Sequence, residues 1–399
     1  MNRPGIDFHI NEAYFRELKN FPWHLELDEW ENGGIKFLDI RKGISRHEVK
    51  FIKNMHSSFA VKQTTELAAK HETTNFEKLL KIGIHTLIPV GYVVNRKTPI
   101  LVQTKAGTSY MNDDPAFVIT VLEDKALPDS HLYKLNFKEK NLNIIWDAVA
   151  ELLATLHFNN IYWGDASLAN VLVRFFKVKD EKGRVKTELK ALLADAETVE
   201  ILPGLSPKMR AEELIFFFES MNWLNEDYKK AGYIRENFST IRDKKYILHE
   251  YKKNYLKLKK IAGFEKVTGL NVQKHFHRIN DIHGLQAIKK QIDEHKWYLS
   301  EKAGREINMK KAAYSWLKEI YYPIINEFEK FDIFEYFPFK SSVGLYVDIM
   351  THKYYMSREE GKDVGIEMAI KDYSKKYSEN TSFLTMIKNI FEKIKGLFY

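Results

Sequence analysis

YWGDASLANVLV, residues Tyr162 to Val173, and LLADAETVE, residues Leu192 to Glu200, decide the fold. The first sets Asp165 shortly before Asn170 and then runs into a β-branched apolar stretch. The second is an apolar run that ends on Asp195. VLVRFF (Val171 to Phe176) and LKALLA (Leu189 to Ala194) are short, apolar and bounded by polar residues, which predicts two strands. KVKDEKGRVKTE lies between them, with Asp180 to Gly183 as the turn. The outer ends of an antiparallel hairpin lie side by side. Asn170 and Asp195 are therefore expected at one sheet edge, with Asp165 one loop further back.

Mg²⁺ is a hard ion that takes oxygen ligands and usually keeps substrate phosphates in its shell. An Asn and an Asp on converging strand ends, with a second Asp placed to receive a proton, suit phosphoryl transfer. The plain alternative is that Asp165 caps a turn and Asp195 ends a strand in solvent. The arrangement resembles the protein-kinase-like superfold, in which an Asp base precedes a metal-binding Asn and a second metal-binding Asp follows a hairpin. The wording is closest to small-molecule and lipopolysaccharide kinases. The resemblance implies Asp165 as base and Asn170 and Asp195 as metal ligands. Three departures stand out. Trp163 replaces His, Ser167 replaces a phosphate-contacting Lys, and Asp195-Ala196-Glu197 replaces Asp-Phe-Gly. Ser167 is carried as a nucleotide-site residue.

The same resemblance makes upstream predictions. SSFAVKQT (Ser57 to Thr64) reads as a strand, and its Ala60-Val61-Lys62 is similar to the kinase VAIK strand. Lys62 would hold the α- and β-phosphates. A solvated strand lysine is the alternative. ELAAKHETTNFEKLLKI (Glu66 to Ile82) reads as a helix that Gly83 ends. Of its glutamates, Glu72, near the middle, is expected to pair with Lys62. IKFLDIRKGISRHEVKFI (Ile35 to Ile52) forms two strands about Gly43 and Ser45, the phosphate-covering turn, with one Gly instead of a Gly-rich loop. Arg41, Lys42 and Arg46 there supply charge or are ordinary turn residues. FVITVLEDKALP (Phe117 to Pro128) reads as a buried strand and a linker, where adenine would meet the backbone about Glu123. Asn141 to Phe158 is an amphipathic helix with Ile145, Val149, Leu152, Leu153 and Leu156 on one face. His157 near its end reads as packing or capping.

Taken in order, GISRHEVKF, FAVK, the helix glutamate, IPVGYVV, YWGDASLAN and LLADAETVE resemble one bacterial group, the domain of unknown function 4032 family. The likeness continues through FHRINDIHGL and AAYSWLKEIYYP and covers most of the chain. It implies a kinase-like fold and names no substrate.

The chain has 399 residues, enough for two or more compact units. It has no cysteine, which excludes disulfides, thiol nucleophiles and Cys-type zinc sites. MNRPGIDFHINEAYFRELKN carries charge throughout and reads as no signal peptide, and no apolar run approaches a membrane span. A cytoplasmic protein is expected. The net charge is +8, and the first half is balanced, so the excess is C-terminal. It concentrates between Lys244 and Lys290, about KKNYLKLKK. Interleaved with Tyr251, Tyr255, His275, Phe276 and His277, these cations suit an anionic partner such as RNA, or form a solvated helix face.

Beyond Asp195 a polar break, LPGLSP, leads into a helix from Lys208 to Leu224. No long activation segment intervenes, which favours a small-molecule, lipid or atypical acceptor. HKWYLSEKAGREINMKKA (His295 to Ala312) aligns without a gap on HKYYMSREEGKDVGIEMA (His352 to Ala369). Each copy reads helix, Gly break, helix, and two copies are too few for a solenoid. Equivalent packing is one reading of the duplication, and a paired His-Lys-aromatic recognition site is the other. The tail SFLTMIKNIFEKIKGLF is amphipathic and would dock on its own domain or rest on an anionic membrane surface.

The expected fold is α+β: a two-lobed protein-kinase-like fold with an additional C-terminal all-α domain. Residues 1–34 would be an N-terminal extension, 35–125 the N-lobe, 126–240 the C-lobe core, and 241–399 a basic helical domain. The expected activity is an atypical, Mg-ATP-dependent phosphotransfer, with ATP and Mg²⁺ as cofactors and a small molecule, lipid or macromolecule as acceptor. The alternative is a nucleotide-binding pseudokinase or scaffold whose basic helical domain binds a protein or RNA partner.

Overall fold

A computed structural model of the chain describes residues 5–39, 47–54, 56–96, 100–104, 107–111, 114–122, 126–128, 139–179, 185–276, 282–337 and 340–377. The chain divides into two compact units, Met1–Leu256 and Lys257–Tyr399.

The first unit opens with a five-stranded antiparallel sheet in the order β1-β4-β7-β3-β2. Its strands are β1 (Ile6–Ile10), β2 (Val49–Lys53), β3 (Ser58–Thr65), β4 (Pro89–Asn95) and β7 (Pro115–Val121). A separate hairpin, β5 (Ile100–Thr104) with β6 (Gly107–Met111), falls between β4 and β7 in sequence. Side chains alternate across a strand, so Phe59 and Val61 of β3 enter one core and Lys62 points to the opposite face. That core is closed by residues 5–34, which also supply the edge strand. Helix α1 (Glu12–Leu18) and the loop after it bring Leu18, Phe21, Trp23, Leu27 and Trp30 onto Phe117 and Ile119. Helix α2 (Glu66–Lys81) covers the other face with Ala69, Glu72, Thr73, Phe76 and Leu79 buried, one stripe at helical spacing.

The second layer is mostly helical. Strand β8 (Ala126–Pro128) pairs with β10, and α3 (Glu139–Phe158) buries its apolar face in the largest core of the unit. β10 (Val171–Lys179) and β11 (Val185–Leu193) form the expected hairpin, with Val171 opposite Leu193. Its strands run further toward the turn than the apolar residues alone indicate. Backbone pairing continues through polar residues that packing does not require. The turn residues Asp180 to Gly183 lie outside the described residues. β9 (Ile161–Tyr162) pairs with β12 (Glu200–Ile201), so the loops that follow β9 and precede β12 are tied at one end. Helices α4 (Pro207–Lys230) and α5 (Ile241–Thr268) follow, and the unit boundary falls within α5.

The second unit is all helical among the described residues. It contains α6 (Val272–His275), α7 (Ile282–Ala303), α8 (Met309–Trp316), α9 (Tyr322–Lys330), α10 (Ile333–Tyr336), α11 (Ser342–Glu360) and α12 (Ile366–Tyr377). A π-helical turn, Leu317–Tyr321, joins α8 to α9 just ahead of Pro323, which has no N–H to continue an α-helical ladder. Trp316 and Tyr321 stack within its core, and Tyr346 meets Trp316 edge-on and Tyr321 at a tilt. Among the described residues no helix is long and apolar enough to cross a membrane.

The sequence duplication is a duplicated packing unit. His295 Nε2 meets Ser315 Oγ at 2.9 Å, and His352 Nε2 meets Asp372 Oδ2 at 2.8 Å. Lys296 pairs with Glu306 and Lys353 with Asp363, each at 2.7 Å. Ser300 accepts the N–H of Ile307, and Ser357 accepts that of Val364. Gly304 and Gly361 turn each corner at φ +62° and +65°, with open space where a Cβ would stand. In that space only backbone strain opposes a side chain. Gly304→Ala and Gly361→Ala are each expected to lower the unfolding free energy by about 1 kcal/mol. Asn at either position, which tolerates the left-handed region, should recover much of the loss. Urea denaturation of the four variants checks this, and unequal losses at the two corners would show that the copies are not equivalent.

Candidate functional site

Lys62 projects from β3 toward α2, and its ammonium meets three carboxylates. Nζ lies 3.0 Å from Glu72 Oε2, 2.9 Å from Asp195 Oδ2 and 2.9 Å from Glu197 Oε2. It donates hydrogen bonds to Asp195 and Glu197 and forms a 3.0 Å ion pair with Glu72. The Lys62–Glu72 pair expected from sequence is therefore present, and Glu197 is a third member the sequence did not single out. Burial opposes the Lys62 charge, but Glu72, Asp195 and Glu197 together outweigh it and hold its pKa above the usual lysine value. Glu72 is almost wholly buried. Burial first, and then the neighbouring Asp195 charge, push it up to about 8 against the pull of Lys62.

Helix α2 also grips the loop that carries Asp195. Asn75 Nδ2 donates to the carbonyls of Ala196 and Val199 at 2.9 and 2.8 Å, and His71 Nδ1 lies 2.9 Å from the carbonyl of Glu197. Asp195 holds its own turn, because Oδ1 accepts the N–H of Glu197 at 3.0 Å.

The loop from Trp163 to Asn170 is fixed by buried polar groups. Glu213, from α4, accepts the N–H of Trp163 at 2.7 Å and that of Gly164 at 2.8 Å on Oε1. Its Oε2 lies 2.6 Å from His157 Nε2, and His157 Nδ1 lies 2.7 Å from the Tyr251 hydroxyl. His157 is thus structural, as its place at the end of α3 indicates. Trp163, fully buried, donates its indole N–H to the Asp195 carbonyl at 3.0 Å. Thr198 donates its hydroxyl to the Trp163 carbonyl and accepts the N–H of Asp165. Gly164 turns at φ +79°, where a Cβ would stand 2.8 Å from the Thr198 carbonyl. The two loops are therefore laced together before any ligand arrives.

Asn170 sits where the hairpin argument places it. Its carbonyl accepts the N–H of Ala194 at 2.9 Å, and its Nδ2 donates to the Asp165 carbonyl at 3.1 Å. That leaves Asn170 Oδ1 without a protein partner among the described residues. Asp165, Ser167, Asn170 and Asp195 all line one cavity of about 260 Å³, together with His47, Glu197, Thr198 and a face of α4. Gly43, Ser45 and Glu123 lie outside the described residues. The donor set around Asp195 is all oxygen, with atoms of Glu72, Asp195 and Glu197 within 4.8 Å of one another, and it suits a hard divalent cation.

Glu213, Thr198 and Asn75 carried no sequence signal. Each acts across a long separation in the chain, and none breaks the periodicity of its own element. Glu197 was visible only as the third letter of a motif that differs from the usual one.

The antiparallel sheet, the helix-borne Glu72 paired with a strand lysine, and the hairpin between two acidic loops define a two-lobed kinase-like α+β fold. The model of the family described as Domain of unknown function (DUF4032) matches residues 310–377, within the helical second unit. The family expected from the sequence motifs is thus met over that stretch. No curated protein matches the chain. Among solved structures, it is similar to WaaP in complex with acyl carrier protein, at 14% identity and TM-score 0.37, over 65% of this chain and 93% of that one. It is also similar to the Rio2 kinase from Chaetomium thermophilum in its ADP/Mg²⁺-phosphoaspartate complex, at 11% identity and TM-score 0.30, over 58% and 74%. A third is the ROP18 kinase domain in complex with AMP-PNP and sucrose, at 15% identity and TM-score 0.28, over 42% and 52%.

Glu213→Ala leaves two backbone N–H groups and a buried His157 without their acceptor. We expect it to cost about 3–5 kcal/mol of stability, and Glu213→Gln, which keeps one carbonyl oxygen for the two N–H donors, to cost less. Equal losses in chemical denaturation would show that the oxygen kept by Gln contributes nothing and that the contact of the carboxylate with His157 carries the effect.

Proposed function

We propose that the chain is an atypical phosphotransferase that uses Mg-ATP. The observation that carries this reading is the placement of Lys62, Asp165, Asn170 and Asp195. One cation is held by a buried helix glutamate beside Asp195, and Asp165, Asn170 and Asp195 line the same cavity. When bound, Mg-ATP supplies the transferable γ-phosphoryl group and the charge that offsets the local excess of carboxylates. Asp195 and the unpartnered Oδ1 of Asn170 would hold the metal. Lys62, positioned by Glu72, would leave Asp195 and Glu197 for phosphate oxygens. Asp165 would orient the acceptor hydroxyl and take its proton. The turn about Gly43 and Ser45 would cover the phosphates, the backbone about Glu123 would meet the adenine, and Ser167 would lie beside the transferred group.

A second reading has one observation in its favour. Lys62 is already satisfied by three carboxylates, and the Glu197 bond has no counterpart in a motif that ends in Gly. A nucleotide-binding pseudokinase with a scaffold role accounts for that as well as an enzyme does.

Asp195→Ala should abolish the thermal shift produced by Mg-ATP. Asp165→Asn should keep the shift and lower phosphoryl transfer, read as ATP turnover, at least about 100-fold. An undiminished Mg-ATP shift in Asp195→Ala would refute the metal assignment. Tight binding with turnover indifferent to Asp165→Asn would select the pseudokinase.

A further inference from the structure

The cavity has two ends of different character. At one end are Asn170, Asp195 and Glu197, close to Lys62. At the other is helix α4, which follows Asp195 after a short connection and so stands directly against the Trp163–Asn170 loop. Ser220, Trp223, Leu224 and Asp227 recur at helical spacing and present one face of α4 to the cavity. Ser220 and Leu224 are buried anchors, and Ser220 accepts the Leu168 N–H at 3.1 Å and donates to the Phe217 carbonyl. Trp223 and Asp227 are exposed. The Trp223 indole is 52% accessible and rests edge-on against Phe216. The Asp227 carboxylate has no ion pair or side-chain hydrogen bond among the described residues. Among the described residues no lysine or arginine is in the lining itself, and Lys62 stands behind it, paired with Asp195 and Glu197.

We propose that this face of α4 selects the acceptor, and that the acceptor is a small hydroxyl-bearing organic amine. The inference rests on the phosphotransferase reading for the word acceptor, though the binding site itself does not. An ammonium group seated between the Trp223 indole and the Asp227 carboxylate gains a cation–π contact and an ion pair. A hydroxyl on the same small molecule then lies toward Asp165. An anionic acceptor, such as a sugar phosphate, meets the carboxylates of Asp165 and Asp227, while Lys62 is committed to Asp195 and Glu197 and no other lysine or arginine of the described residues is in the lining. A neutral polyol gains the indole face but leaves Asp227 unpaired. Charge selection is therefore built into the wall and precedes any chemistry.

The test measures binding of size-matched probes to the full chain by calorimetry: ethanolamine, choline and glucosamine against glycerol and glucose, and against glycerol phosphate and glucose 6-phosphate. At least one amine should bind about tenfold or more tightly than its neutral and anionic counterparts. Asp227→Asn and Trp223→Ala should each erase that preference, while Trp223→Phe keeps most of it. Native far-UV spectra and unfolding midpoints establish that the variants fold. Absent or equal binding across the three charge classes overturns the proposal, as does an amine preference untouched by Asp227→Asn. The Mg-ATP thermal shift is read in parallel. Amine selection without that shift removes the phosphotransferase reading and leaves the site. The shift without amine selection does the reverse.

Discussion

One ammonium among three carboxylates joins the sheet, α2 and the Asp195 loop. Lys62 is the one lysine or arginine in contact with Glu72, Asp195 and Glu197 among the described residues, with His47 Nε2 a further 3.3 Å contact on Glu197, so three carboxylates still outnumber the cations. A buried ion pair stands on geometry and hydrogen bonding, because desolvation offsets most of its Coulombic gain. Here the most buried acid, Glu72, is the one pushed up to about 8, by burial first and then by Asp195, against the pull of Lys62. The excess is reduced by a proton on Glu72 or by a divalent cation beside Asp195. The charge balance of the cluster therefore rests on Lys62 and on the groups that share its three acids.

The rigidity that makes such a cluster useful comes from below it. Glu213 takes two backbone N–H groups of the Trp163–Asn170 loop and a histidine of α3, which anchors the loop to two helices at once. Trp163 then reaches across to the Asp195 carbonyl, and Thr198 returns the connection to Asp165. Replacing His by Trp therefore keeps a donor in the loop and adds a large apolar surface to the core. From above, Asn75 holds two carbonyls of the same loop. The Asp195 segment is clamped from both layers, and its Asp-Ala-Glu wording fits that clamp. Ala196 is fully buried with its carbonyl on Asn75, and Glu197 closes on Lys62.

What the sequence made legible follows the range of each interaction. The β10–β11 hairpin is local, so its apolar runs and turn residues sufficed to bring Asn170 and Asp195 together. Lys62 and Glu72 were legible because a strand motif and a helix follow one another directly, and only one of three candidate glutamates lies mid-helix. The residues missed are the long-range ones. Glu213 sits within an unremarkable α4 stripe, Thr198 reads as a loop residue, and Asn75 as a polar helix position. Periodicity reports which face of an element is buried, not which polar atom on that face finds a backbone group in another element. Residues 5–34 show the same limit. Their aromatic residues are plain in the sequence, but that they close one face of the sheet depends on β1 pairing with β4, far along the chain.

The duplicated helical corner separates packing from recognition. A recognition site built from the repeated His, Lys and aromatic residues needs those groups available to a partner. In both copies the histidine is bonded to the following helix and the lysine to an acid beyond the glycine corner. The serine caps the same corner in each copy, and the partners differ where His295 meets a hydroxyl and His352 a carboxylate, and where Lys296 takes a glutamate and Lys353 an aspartate. What remains exposed in both is the aromatic pair, Trp297 with Tyr298 and Tyr354 with Tyr355. The repeated polar residues are thus consumed in setting the angle between successive helices. Duplication of this unit reproduces a corner geometry, and the helices it orients carry the same pattern of buried and exposed positions because the same bonds fix their rotation.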